Sequence, residues 1–300
     1  TFDASGGVLD FSWNFFKGIM DYRLTTSTPG QEFSLYSAQR RTVWQDKINL
    51  TNPQKRRLYQ RLLWNLEPLN TTYDYQYFFN NCTTRIRDYL DESLDSGLSS
   101  QFYEMTELSF RDHVRAHYKS VGLVGISLDI LMNSDIDRQI SEWEEMFLPL
   151  KFREHLLEVE SDVAENGKRK MLLSDSQLIA EFAPPTVVTD PYRVAFYTLT
   201  LPVVFLFLMI KRIPQTYYAT RSRVGLRFPK LNYRLLAILG GVTSIFSGIY
   251  GLLMLGSWFI SGHTDTHHNV NLLVFWPTDI FGLIVAGGWF FSCRAWPTNH

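Results

Sequence analysis

Apolar residues in the first fifty positions come in short bursts: Val8-Leu-Asp-Phe-Ser-Trp13, Phe15-Phe-Lys-Gly18 and Tyr22-Arg-Leu-Thr25. They predict short strands, with Gly6-Gly7 and Pro29-Gly30 at the turns. From Asn52 the rhythm becomes helical. Pro53 suits a first helical turn, and Leu58, Leu62, Leu63 and Leu66 share one face. Lys55, Arg56, Arg57 and Arg61 take the other, which is a solvated face or one near anionic lipid headgroups. The stretch Asn65 to Asn70, around Pro68, ends that helix.

The next stretch changes character at a cysteine. Tyr73, Tyr75 and Tyr77 alternate with polar residues, as in an extended segment, whereas Ile86, Tyr89 and Leu90 fall at helical spacing with Asp88, Asp91 and Glu92 between them. Cys82 therefore sits at the start of a helix, where unpaired N–H groups and the helix dipole stabilise a sulfur anion. Asn80 and Asn81 suit the turn, and Thr83 or Thr84 can cap it. Two readings stand on local sequence: a cysteine nucleophile, or a small buried hydrophobe beside a helix cap.

Beyond Leu98 the pattern is mostly helical, including an amphipathic helix from about Phe152 to Glu165. His113 and His117 are four apart on one helical face. With no third ligand and no His-Glu-x-x-His pattern they read as a surface pair, and no metal is expected. Pro184-Pro185 and Pro191 mark a linker. Three apolar segments follow, at about 194–210, 235–261 and 270–292, and predict three membrane-spanning helices. Pro202 interrupts the first, and Pro277 and Asp279 weaken the third. Gly240, Ser244 and Gly248 put small residues at every fourth position, a face for close helix packing.

Charge orients these segments. Lys211, Arg212, Arg221, Arg223, Arg227 and Lys230 lie between segments one and two, which puts that loop in the cytoplasm. The loop 262–271, between segments two and three, has no Lys or Arg and falls on the far side, with the polar domain of residues 1–190. That loop holds His263, His267, His268, Asn269 and Asn271. It reads as a base near a lipid substrate, a metal site, or an interfacial turn entering a helix. The formal net charge of −1 gives no support for nucleic-acid binding. Cys82 and Cys293 lie in different parts of the chain, so Cys82 is expected to be a free thiol.

Tyr73-x-Tyr-x-Tyr-Phe-x-Asn-Asn-Cys82-Thr-Thr-Arg-x-Arg-Asp88 resembles the core motif of the Lnb-type lipoprotein N-acyltransferase family. Three further stretches match in order: Thr1-Phe-Asp3 with Phe15-x-x-Gly18-x-x-x-Tyr22-x-Leu24; Leu128-Asp-Ile-Leu131 through Trp143-Glu-Glu-Met-Phe-Leu-Pro149; and Asn269-x-Asn271-Leu-Leu followed by Pro277. The resemblance implies an α+β fold in which a circularly permuted papain-like (NlpC-type) cysteine domain, residues 1–190, precedes a membrane domain, residues 191–300. It implies a Cys–His pair with Cys82 as nucleophile. Asn81, Thr83, Arg85 and Asp88 match the motif as oxyanion donors or as supports of the turn. The partner histidine of the pattern falls upstream of Thr1. With no Met at position 1, the chain is expected to be a fragment that lacks its base.

The implied reaction moves a fatty acyl chain from a phospholipid, through a Cys82 thioester, to the N-terminal amine of a diacylated lipoprotein. Its partners are the phospholipid donor, the lipoprotein acceptor and the bilayer of a bacterial inner membrane. The periplasm is the site of the chemistry, and no cofactor is called for. Two alternatives remain: a membrane-anchored cysteine hydrolase, and a non-catalytic scaffold, for which Cys82 would be buried.

Overall fold

Where strands were expected near the start, the chain forms a helix, α1 (Gly7–Lys17). Leu9, Trp13 and Phe16 stand at i, i+4, i+7, a helical spacing that the local alternation hides. The Trp13 ring stacks on Phe16 at 5.7 Å, and Lys17 lies over Trp13. The computed structural model describes residues 7–18, 21–23, 25–165, 168–184, 186, 190, 192–193, 195–197, 200, 203–204 and 229–292. These divide between two units: Thr1–His113 with Ile136–Pro185 and Ser261–His263, and Val114–Asp135 with Thr186–Ile260 and Thr264–His300. The second unit thus takes Val114–Asp135 from the stretch that the sequence places with the first.

After α1 come β1 (Asp21–Arg23), α2 (Pro29–Ala38), β2 (Val43–Ile48), α3 (Asn52–Leu66), β3 (Thr72–Asp74) and α4 (Cys82–Ser93). Pro29-Gly30 therefore opens a helix and is not a turn between strands. Thr28 and Thr51 cap α2 and α3, each closed into a capping box by a glutamine three residues on. Then follow β4 (Met105–Ser109), α5 (Phe110–His117), α6 (Gly122–Leu131), β5 (Gln139–Ser141), α7 (Glu142–Glu145), α8 (Pro149–Leu157), β6 (Glu160–Glu165), β7 (Lys168–Met171) and β8 (Leu173–Ala180). The helix expected from 152 to 165 stops at Leu157. Beyond it β6 pairs antiparallel with β7, with Glu165 opposite Lys168.

The described strands form four two-stranded antiparallel ribbons, β1–β3, β2–β8, β4–β5 and β6–β7, in a mixed α+β architecture. The core of the first unit comprises Leu50, Leu90, Leu98, Phe102, Met146, Leu156, Val159, Leu172 and Leu173. Each such side chain contributes about 1.5–3 kcal/mol of burial. At its edge Asp46 on β2 accepts from Arg153 Nε and Nη2 at 2.7 and 2.9 Å and from the Ser176 hydroxyl. The hydrogen bonds from Arg153 hold the Asp46 carboxyl below its usual value against the opposing effect of burial, and Ser176 adds to them.

In the second unit the helix Pro229–Ile260 contains the one segment, among the described residues, long and apolar enough to cross a membrane by itself: Arg234–Ile260. Its 27 residues span about 40 Å, against about 30 Å of hydrocarbon. Only 17% of its apolar window is buried, unlike the core helix of a soluble protein. The expected helix 270–292 is not a single straight one. Thr264–Leu273 and Pro277–Phe291 form a pair bent by 57°, and the last helix, Gly282–Ser292, has 11 residues. Pro277 has no N–H for a helical ladder, and Asp279 turns back to accept from Trp276 N–H at 3.2 Å and from the Ser247 hydroxyl. Most of segment 194–210 and of the basic loop after it lies outside the described residues.

The close-packing face of the long helix is one residue off its expected start. Gly240 meets nothing, while a Cβ at Gly241 would touch Ala286 and Leu283. A Cβ at Gly248 would lie 2.7 Å from Ile280 N, and one at Gly251 2.6 Å from Pro277 N and 2.7 Å from Phe275 O.

Two outcomes test these contacts. Gly251→Ala forces backbone against backbone and should cost about 1–3 kcal/mol; a thermal melt in detergent equal to wild type would refute the contact. Asp46→Asn should be less stable than wild type at pH 7. Because the Asp46 pKa is depressed in the fold, its contribution is present above the unfolded value of about 3.9 and lost as pH falls through the folded one. The gap between the two proteins should therefore close in melts taken on acidification below about pH 4.

Candidate active site

The sequence from Tyr73 to Ser93 folds as a short strand, a tight loop and a helix. Gln76 and Asn80 pair across the loop through two 3.1 Å backbone hydrogen bonds. The chain then enters α4 with Asn81 at the N-cap and Cys82 as the first helical residue. The thiol of Cys82 is free and exposed. Its polar neighbour is Thr83 Oγ1 at 4.0 Å, and among the described residues no imidazole is hydrogen-bonded to it.

Asn81 holds this geometry. Its Oδ1 accepts from the N–H groups of Thr83 and Thr84 at 2.8 and 2.9 Å. Its Nδ2 donates to the carbonyls of Tyr77 at 2.9 Å and Phe147 at 3.0 Å. Its own N–H donates to Thr84 Oγ1 at 2.8 Å. A carboxamide offers two acceptor sites and two donors, and all four are used. The residue is buried, so each bond replaces one otherwise made with water. Thr83 N–H is thereby committed to the cap, which leaves Cys82 N–H as the open donor at the turn.

The bond to Phe147 ties the cysteine turn to the Trp143–Pro149 stretch. Phe78, Phe110 and Phe147 form a buried triangle beneath it, with centroids 4.7 to 5.4 Å apart. Arg85 stacks on Tyr73 at 4.1 Å and donates to Asn80 Oδ1 at 2.8 Å and to Tyr89 Oη at 3.1 Å, fastening helix to strand. Asp88 is half-exposed and paired with Arg87, whose Nη1 donates to Trp143 O at 2.7 Å.

Three placements were not visible in the pattern. Tyr36 on α2 feels the charge of Cys82: burial raises its phenol above the usual value, the hydrogen bond and charge of Glu32 add to this, Arg41 opposes it, and Cys82 adds a smaller upward push. Nothing in the local sequence marks that neighbour. His113, expected at the surface, is buried with Nε2 3.0 Å from Glu145 Oε1, while His117 is exposed. His155 Nε2 lies 3.2 Å from the other oxygen of Glu145. Among the described residues no group of three or more His, Cys, Asp or Glu is arranged to hold a metal ion.

The loop 264–271 is fastened through three asparagine side chains. Asn133 Nδ2 donates to the carbonyls of Thr264 and His267 at 3.1 and 2.9 Å. Asn269 and Asn271 both donate to the carbonyl of Ile130, near the end of α6, at 2.8 and 2.9 Å. The His268 ring rests 4.5 Å from Trp258. His263 N–H donates to Ser261 Oγ at 3.1 Å.

Replacing Asn81 separates its two tasks. Asn81→Asp keeps the cap acceptor and loses both carbonyl bonds; Asn81→Ala loses everything. The alanine variant should forfeit about 0.5–2 kcal/mol from the cap and about 1–3 kcal/mol for each carbonyl left buried and unpaired. The aspartate variant should fall in between. Urea unfolding that places both variants within about 0.5 kcal/mol of wild type would contradict this.

Comparison with known proteins returns one family. No curated protein and no solved structure matches the chain. The matched residues, 3–116, carry the cysteine turn and everything described around it up to α5. With a helix of membrane-crossing length further along, the match fits a membrane-associated protein with a periplasmic domain. Residues 3–116 match the family described as the Lnb N-terminal periplasmic domain.

Proposed function

We propose that the protein is a lipoprotein N-acyltransferase of the Lnb type that works at the periplasmic face of the bacterial inner membrane, with Cys82 as its nucleophile. The observation that carries the reading is the exposed thiol on the first residue of a 12-residue helix, within the span that matches the family. The Cys82 thiolate attacks the ester carbonyl of a phospholipid. The carbon–oxygen bond breaks, and the lysophospholipid leaves with a proton from the general acid. The acyl group remains on Sγ as a thioester. The α-amine of the lipoprotein then attacks that carbonyl and gives a proton to the same group, now a base; an amide forms, and the carbon–sulfur bond breaks to return the thiolate. A thioester suits the second step because thiolate leaves readily and amines attack it well.

The acid–base partner is the histidine that the family pattern puts upstream of Thr1, in a permuted papain-like arrangement. Cys82 N–H is the donor that faces the developing oxyanion, since Thr83 N–H already serves Asn81. Asn81, Arg85 and Asp88 act as supports of the turn, through the bonds described above. The bent pair after the long helix counts as a second span. Exposure of Cys82 also suits a hydrolase, which needs water to reach the thioester. It does not suit a scaffold with a buried thiol.

Protein that includes the residues upstream of Thr1 should, on incubation with phospholipid, gain an acyl mass that hydroxylamine removes, and Cys82→Ala should gain none. A diacylated lipopeptide should discharge the adduct and become triacylated. Intact-protein mass spectrometry reads both steps. Discharge by water alone would make the protein a lipase, and an adduct on Cys82→Ala would remove Cys82 from the mechanism.

A further inference from the structure

Helix α3 is turned inside out for a helix on a water-facing surface. Its fully buried residues are polar: Gln54, whose Nε2 donates to Asp162 at 2.7 Å, and Asn65, which accepts from the Tyr89 hydroxyl. Arg61 packs between the Trp64 and Tyr89 rings at 4.4 and 4.7 Å. Leu58 alone of its leucines packs against the core. Tyr59 (63% exposed), Leu62, Leu63 (46%) and Leu66 all face outward, and Leu69 just beyond the helix is 93% exposed. At 100° per residue those four helical positions fall within an arc of about 100°, one continuous stripe.

The charges around the stripe are sorted. Arg57 and Arg61, on the side toward α4, are paired with Asp95 and Glu92. Lys55 and Arg56 fall on the first turn at the N-terminal end of the stripe, within its arc or just beside it. Both are exposed, and neither has an acidic partner among the described residues. An outward stripe of leucines and a tyrosine, headed by two unneutralised cations, has the composition of a helix that lies in a membrane interface. A protein partner would have to leave Lys55 and Arg56 matched to acids of its own. A bilayer supplies both the apolar depth and the phosphates, and the same chain carries a helix of membrane-crossing length.

We propose that α3 is a membrane-docking helix: its Tyr59–Leu62–Leu63–Leu66 face enters the acyl-chain boundary of an anionic phospholipid surface, and Lys55 and Arg56 hold the headgroup phosphates. The proposal does not depend on the chemistry of Cys82. It gives the first unit a fixed face toward lipid, set by side chains that the fold leaves outside its core.

The test uses the full chain reconstituted in vesicles of phosphatidylethanolamine and phosphatidylglycerol. The native cysteines are replaced by serine, and an environment-sensitive nitrobenzoxadiazole label is placed on Leu63→Cys or, as the exposed control outside the stripe and about 110° round the helix from its centre, on Gln60→Cys. Brominated acyl chains should quench the label at 63 several-fold more than the label at 60. Adding Lys55→Glu and Arg56→Glu, both on the surface, should abolish most of that difference, as should vesicles without the anionic lipid. Equal quenching at the two positions would overturn the proposal. So would a blue-shifted label at 63 that brominated lipid does not quench, because protein would then cover the stripe.

Discussion

The cysteine turn depends on one carboxamide. A helix that starts at a reactive residue has unpaired N–H groups there, and something must take them without covering the thiol. Asn81 takes those of Thr83 and Thr84 from the side, through a single oxygen, and leaves the sulfur open. Its other end grips two carbonyls, one from the loop before it and one 66 residues later. The position of Cys82 is therefore set by the backbone of the Tyr77 loop and of the Phe147 turn together. The phenylalanine triangle makes that backbone stiff, since three buried rings leave no room for either segment to shift alone.

Much of the site was legible in the sequence because its determinants are local. The change from alternating tyrosines to helical spacing puts the helix start at Cys82, and α4 begins there. Pro53 and the residues around Pro68 likewise bound α3. What failed was mostly non-local or ambiguous. Leu9, Trp13 and Phe16 carry a helical period, but Phe11, Trp13 and Phe15 also alternate, and the strand reading followed the alternation. The strands after Leu157 had a marker in the Asn166-Gly167 pair, a hairpin dipeptide, but the spacing from Phe152 to Glu165 reads as a helix that ends just before it.

Other features leave no trace in any window. His113 and His155 are 42 positions apart and both lie against Glu145. The leucines of α3 have the spacing of a core face, yet most face outward, because the inward side is filled by Gln54, Leu58, Arg61 and Asn65. Periodicity shows that a helix has two faces; it does not say which one the rest of the protein will cover. In the first unit polar contacts fix several elements as firmly as apolar ones do. Asp46 with Arg153 and Gln54 with Asp162 each join segments about a hundred residues apart, and Glu145 joins His113, well before it in the chain, to His155 just after it.

The carbonyl of Ile130 has a consequence for how the chain is made. It belongs to the last turn of α6, where no later helical N–H reaches it, and its acceptors are filled by two amides that lie 139 and 141 positions downstream. Ribosomal synthesis delivers α6 long before Asn269 and Asn271. Until those residues emerge, that helix end depends on water. Maturation of the second unit is therefore a late event in translation, closed by a loop that follows the long apolar helix.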